Sequence, residues 1–187
     1  MSRSYIAICP CNPLLPNPDI QSIVKHLKEA GFIDHQDYQL NNPETNETEV
    51  FYKPGSKYLE FYELDADVNA DVGELLKHAV IEFKVHDKIE VEVFPSGEFE
   101  VTNPVTGSLL EEDWSEELGE FLEDNDHQWV DPENGKPYYF FELKCDDIAL
   151  GRQFITIEDG WGEPNEKLMQ SLKTITGQDY RWIWAGI

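Results

Sequence analysis

Basic side chains are scarce in this sequence. Fourteen lysines and arginines stand against 38 aspartates and glutamates, for a formal charge of −24 over 187 residues. Free nucleic acid and anionic membrane surfaces repel such a molecule, whereas cations and basic proteins are drawn to it. Long apolar runs are missing too. No stretch approaches the roughly 20 apolar residues of a membrane helix. The start, Met1-Ser2-Arg3-Ser4-Tyr5-Ile6-Ala7-Ile8-Cys9-Pro10, has an apolar run too short for a signal peptide and reads as a first strand. A soluble, cytoplasmic protein is expected, in which the sequon Asn46-Glu47-Thr48 carries no meaning. The three cysteines (Cys9, Cys11 and Cys145) are too few, and odd in number, for a disulfide framework.

Catalytic signatures are also lacking. Neither a glycine-rich phosphate loop nor a Gly-x-Ser-x-Gly elbow occurs. Cys9-Pro10-Cys11 is spaced more tightly than zinc ligands usually are and is not a Cys-x-x-Cys redox pair, so a buried strand-end pair is expected. Asp65, Asp67, Asn69 and Asp71 alternate as in a calcium loop. Ala70 and Leu76 then stand where the turn glycine and the bidentate glutamate belong, which leaves a solvated loop. Asp124-Asn125-Asp126 fails the same test at Gln128 and Trp129. The five histidines show no paired metal spacing, and His26 and His78 are expected at ordinary surface positions on helices. His127 lies among acids that should raise its pKa, which suits a general acid only if a cleft exists. Gly160-Trp161-Gly162 precedes a helix, but Glu158, Asp159 and Glu163 oppose an anion there. No catalytic residue, cofactor or metal is predicted.

What is present is a core. Apolar residues make up 40% of the chain and aromatics 12%, too many for a disordered acidic chain. Length and the lack of a Gly/Ser linker point to one α+β domain over residues 1–187. Its sheet is expected to be mixed but mostly antiparallel, with about four helices packed mainly on one face. Helices are predicted from Asn17 as cap and Pro18 as first residue, from Asp71 with Glu74, from a capping box of Ser108 and Glu111, and from about Pro164. Strands are predicted over residues 5–9, 49–53, 57–64, 88–94, 98–101, 136–145, 152–158 and 180–187. The turns Pro54-Gly55-Ser56 and Pro95-Ser96-Gly97 each make a hairpin, and Asp131-Pro132-Glu133-Asn134-Gly135 leads into the aromatic strand. Two echoes allow a weak internal duplication: Phe61-Tyr62-Glu63-Leu64 with Phe140-Phe141-Glu142-Leu143, and Gln36-Asp37-Tyr38 with Gln178-Asp179-Tyr180.

The unusual feature is the distribution of the acids. Residues 89–135 contain fifteen of them and no lysine or arginine. In the third helix Leu110, Trp114, Leu118, Phe121 and Leu122 form an apolar stripe. Glu112, Asp113, Glu116, Glu120, Glu123 and Asp124 fall opposite. Glu90, Glu92, Glu98 and Glu100 add the wet face of a neighbouring hairpin. Carboxylates held on rigid elements speed encounter with a basic partner and select it. The expected function is a non-catalytic acidic binding protein that captures or neutralises a basic protein partner, with Glu112, Asp113, Glu116, Glu120, Glu123, Asp124, Glu90 and Glu92 as partner-binding residues. In general character (small, acidic, aromatic-rich, motif-poor) the chain resembles bacterial immunity and inhibitor proteins, a resemblance of type without a shared motif. Two other readings stay open. One is a hydrolase or metal-dependent enzyme using dispersed carboxylates and a histidine such as His127. The other is a structural or regulatory domain docking through Trp161, Trp182 or Trp184, although these tryptophans are expected mainly in the core.

Overall fold

The computed structural model describes residues 4–41, 48–64, 71–93, 99–158 and 162–186. The calcium-loop candidates Asp65, Asp67, Asn69 and Ala70, the turn Pro95-Ser96-Gly97, Glu98, the sequon residues Asn46 and Glu47, and Asp159-Gly160-Trp161 lie outside them. The elements run β1 (Ser4–Pro10), α1 (Ile20–Ala30), β2 (Ile33–Asn41), β3 (Thr48–Pro54), β4 (Tyr62–Leu64), α2 (Val72–His78) and β5 (Val80–Val93). They continue with α3 (Trp114–Glu123), β6 (Trp129–Val130), β7 (Pro137–Tyr138), β8 (Ala149–Glu158), β9 (Gly162–Pro164), α4 (Glu166–Thr176) and β10 (Tyr180–Gly186). Single turns of 3-10 helix occupy Tyr58–Glu60 and Phe140–Glu142.

Six strands make one antiparallel sheet in the order β10-β1-β8-β5-β3-β2, an α+β fold as the sequence predicts. Alternation along β1 gives the sheet two different faces. Ile6 and Ile8 point toward α1 and α4, where they join Ile23, Leu27, Ile81, Ile155, Ile157, Leu168 and Leu172 in the first core. Each such fully buried aliphatic side chain contributes about 1.5–3 kcal/mol. The two helices are also tied by His26 Nε2 and Ser171 Oγ at 2.8 Å, so His26 bridges helices and is not an ordinary surface histidine. Ala7 and Cys9 face the other way. The β5–β8 ribbon bends across that face at a register shift between Val85 and Glu90, bringing Val93 and Ala149 against Ala7 and Cys9.

Residues between β5 and β8, together with Ile89 of β5 and Leu150 of β8, build a second core from Phe99, Val101, Trp114, Leu118, Phe121, Trp129, Tyr138, Phe140, Leu143, Cys145 and Ile148. The acidic segment is therefore largely this insertion.

Several predicted boundaries move, each for a local reason. Asp19, not Asn17, caps α1, because its carboxylate accepts from the Gln21 and Ser22 amides. Asp113, not Ser108, caps α3 by accepting from the Glu116 amide at 3.3 Å, while the Ser108 carbonyl closes a turn by accepting from the Asn103 amide. At α2, Asp71 caps as predicted, but Glu74 pairs with Lys77 instead of closing a box. Asn165 caps α4, and Pro164 ends β9. Residues 57–64 are not one strand hairpinned to β3. A 3-10 turn precedes β4, which pairs with β9. Gly55 at that turn admits no side chain, since a Cβ would stand 2.4 Å from the Gly31 carbonyl oxygen. The second half of the predicted acidic hairpin is not a strand either. Residues 99–101 are irregular, and β5 pairs with β8 and β3. The aromatic strand over 136–145 reduces to β7 and a 3-10 turn, so the first echo compares a strand with a turn. In the second echo both segments follow a helix closed by a left-handed glycine, Gly31 or Gly177. Trp182 packs against the first core, but Trp184 on edge strand β10 is 56% exposed, contrary to the expectation of burial.

Candidate functional site: the acidic face of α3

The buried stripe of α3 seats the helix on the second core through Trp114, Leu118 and Phe121, which are at most 5% exposed. Trp114 and Trp129 pack edge to face, and Trp114 Nε1 donates to the Leu110 carbonyl at 3.1 Å. What remains outward is the predicted acidic set. Glu112, Asp113, Glu116, Glu120, Glu123 and Asp124 are all exposed. Glu116, Glu120 and Glu123 recur at the spacing that stacks side chains on one helix face. No lysine or arginine occurs in the last turn, where a cation would offset the helix dipole.

The two strand glutamates fare differently. Glu90 is exposed on β5. Glu92 is a correction: its side chain is only 12% exposed and is committed to a pair with Lys84. The bend in β5 brings these residues together, and the Tyr5 hydroxyl donates to the same carboxylate. Glu92 holds the ribbon to β1 and is unavailable to a partner.

Beyond α3 the chain turns back. The Asn125 side-chain amide donates to the Phe121 carbonyl at 2.8 Å, the Asp126 amide to the Asp124 carboxylate at 3.0 Å, and the His127 amide to the Asp124 carbonyl at 2.9 Å. This turn aims the His127 imidazole at the helix. Its Nε2 lies 3.0 Å from Glu117 Oε2 and 3.1 Å from Glu120 Oε2. The hydrogen bond to Glu117 raises the His127 pKa above its ordinary value of 6.5, opposed by partial burial and reinforced by Glu120 and Asp124. His127 is the one side chain of residues 89–135 able to carry positive charge near neutrality. One ligand atom from each of Glu117, Glu120 and His127 lies within 4.8 Å of the others.

Sequence reasoning missed Glu117 altogether. It sits between the acidic face and the buried stripe, and its relation to His127 appears only once the turn is closed. The next turn is also tied down. The Asp131 carboxylate, 1% exposed, accepts from Asn103 Nδ2 at 2.9 Å, the Glu133 amide at 2.8 Å and Asn134 Nδ2 at 2.7 Å. These bonds satisfy an otherwise costly buried carboxylate.

The cysteines offer less chemistry. Cys9 and Cys145 are buried and Cys11 is half-buried, all as free thiols. Burial pushes each thiol pKa up, and Arg181 of β10, close enough to act on all three, pulls the other way. A thiol with a raised pKa is a poor nucleophile and a poor ligand at neutral pH. Among the described residues no helix is long and apolar enough to cross a membrane. Compared with models of known protein families, with curated proteins and with solved structures, the chain matches none.

Proposed function

We propose that this chain is a non-catalytic binding protein of the cytoplasm whose α3 face captures a basic protein partner. One observation carries the reading: six exposed carboxylates, Glu112, Asp113, Glu116, Glu120, Glu123 and Asp124, stand on or beside a capped helix seated on a packed core, in a segment without lysine or arginine. Rigid placement matters because like charges held together on a helix repel, by a few tenths of a kcal/mol for each close pair. A partner presenting lysines and arginines relieves that repulsion and gains steering at the same time. The partner surface is one that would otherwise bind a polyanion, such as the nucleic-acid groove of a nuclease, which this face would block. The net charge disfavours nucleic acid and anionic membranes as partners.

The test replaces Glu112, Glu116 and Glu123 by lysine together, keeping Asp113 as cap. Native lysate passed over the immobilised chain at low salt should yield a basic protein that elutes as salt rises, because the Debye length shortens to ~8 Å at physiological ionic strength. The triple variant, with unchanged circular dichroism, should associate with that protein at least ~10-fold more slowly. Equal capture by the variant, or capture insensitive to salt, would sink the reading.

A further inference from the structure

We propose that Glu117, Glu120 and His127 form a binding site for one divalent transition-metal ion, zinc being the best fit. This goes beyond partner capture and does not depend on it. Ligands about 2.1 Å from a tetrahedral zinc ion stand roughly 3.4 Å from one another. His127 Nε2 lies 3.0 Å from Glu117 Oε2 and 3.1 Å from Glu120 Oε2. Small opening motions of the two glutamates would admit the ion. The frame is already set. Glu117 and Glu120 lie one turn apart on a helix held by Trp114, Leu118 and Phe121, and His127 is fixed by the turn bonds of Asn125 and Asp126.

The imidazole is what separates this group from the acidic residues around it. Calcium takes six to eight oxygens, and magnesium prefers an octahedral set of oxygens that includes several waters. A site of one nitrogen and two carboxylates suits zinc, and more generally the borderline ions that imidazole favours. The rest of the acidic face offers oxygens alone and would attract cations diffusely. Three protein ligands leave a fourth position for water or for a side chain brought by another molecule.

The experiment uses the full chain after treatment with a chelator. Zinc chloride titrated calorimetrically should bind one equivalent with a dissociation constant on the order of 10 μM or tighter, a free energy near −7 kcal/mol. In the unmodified protein, zinc should shift the ring resonances of His127 and leave those of His26, His35, His78 and His86 in place. Calcium at the same concentration should shift none of them. Substituting His127→Ala or Glu117→Gln should each weaken zinc binding at least ~10-fold, while Glu123→Gln, on the same helix but outside the group, should leave it unchanged. The proposal is overturned by the absence of a saturable single site, by zinc leaving the His127 ring unmoved, or by Glu123→Gln weakening binding as much as Glu117→Gln. The lysine substitutions that test partner capture leave all three ligands in place, so the two readings fail separately.

Discussion

Tyr58 and Tyr180 are the clearest case of burial acting on single groups, with side chains 1% and 9% exposed. Desolvation disfavours a phenolate. It pushes Tyr180 up to about 12 and holds Tyr58 well above the ordinary value of 10. Tyr5 is raised too, first by burial and then by the Glu92 carboxylate it donates to. In the unfolded chain these hydroxyls ionise near 10, so above that pH the unfolded state binds fewer protons than the folded one. Their contribution to stability is therefore complete below pH ~10 and is lost as pH climbs through the folded values. Urea midpoints should fall steeply between about pH 10 and pH 12, and phenolate absorbance should lag behind that of the denatured chain. Tyr180→Phe should lessen the fall. Loss of stability above pH ~10 that is unchanged by Tyr180→Phe would contradict this account.

Among the elements, β5 (Val80–Val93) shows how far local pattern reaches. Its second half, with Ile89, Val91 and Val93 alternating against Glu90 and Glu92, was legible as a strand. Its first half was not, because Val85, His86, Asp87 and Lys88 blur the alternation, and pairing with β8 makes the whole run extended. The bend between those halves is held by Lys84 with Glu82 and Glu92. Lys84→Met should cost about 2–3 kcal/mol in urea unfolding, below the ~3–5 kcal/mol of a fully buried pair, because it strands the half-buried Glu92 carboxylate. Adding Glu92→Gln should recover part of the loss, and a double-mutant cycle measures how much. If the two substitutions simply add, the pair is not what holds the bend. The helices were the more readable elements. A 3.6-residue period identified the buried face of α3 at Trp114, Leu118 and Phe121, and its acidic face followed from the same count. Caps were less readable, since Asn17 and Asp19 carry similar signals and only the amide geometry chooses between them. The pairing of Glu117 with His127 spans ten residues across a turn, and no periodicity announces it.

For the molecule as a whole, the question is whether two apolar cores make one cooperative unit. The first core lies between the sheet and α1 with α4, and the second is built almost wholly from the insertion that carries the acidic face. Among the described residues no separate linker joins them. Ile81 of β5 and Ile155 of β8 belong to the first core, whereas Ile89 and Leu150, farther along the same paired strands, belong to the second. Val93 and Ala149 of that ribbon also lie against β1 on the sheet's second face. Loosening the insertion must therefore disturb the two central strands of the sheet, and the cores should unfold together. Phe121→Ala tests this. The ring is fully buried in the second core, so its removal should cost about 3–5 kcal/mol. Tryptophan fluorescence reports on the insertion through Trp114 and Trp129, two of the five tryptophans, while far-ultraviolet circular dichroism follows the sheet and all the helices. In the wild type and in Phe121→Ala the two signals should give coincident urea transitions, with the variant shifted as a whole. An early fluorescence transition that leaves the circular dichroism largely intact would instead mean that the acidic face sits on an independently folding unit.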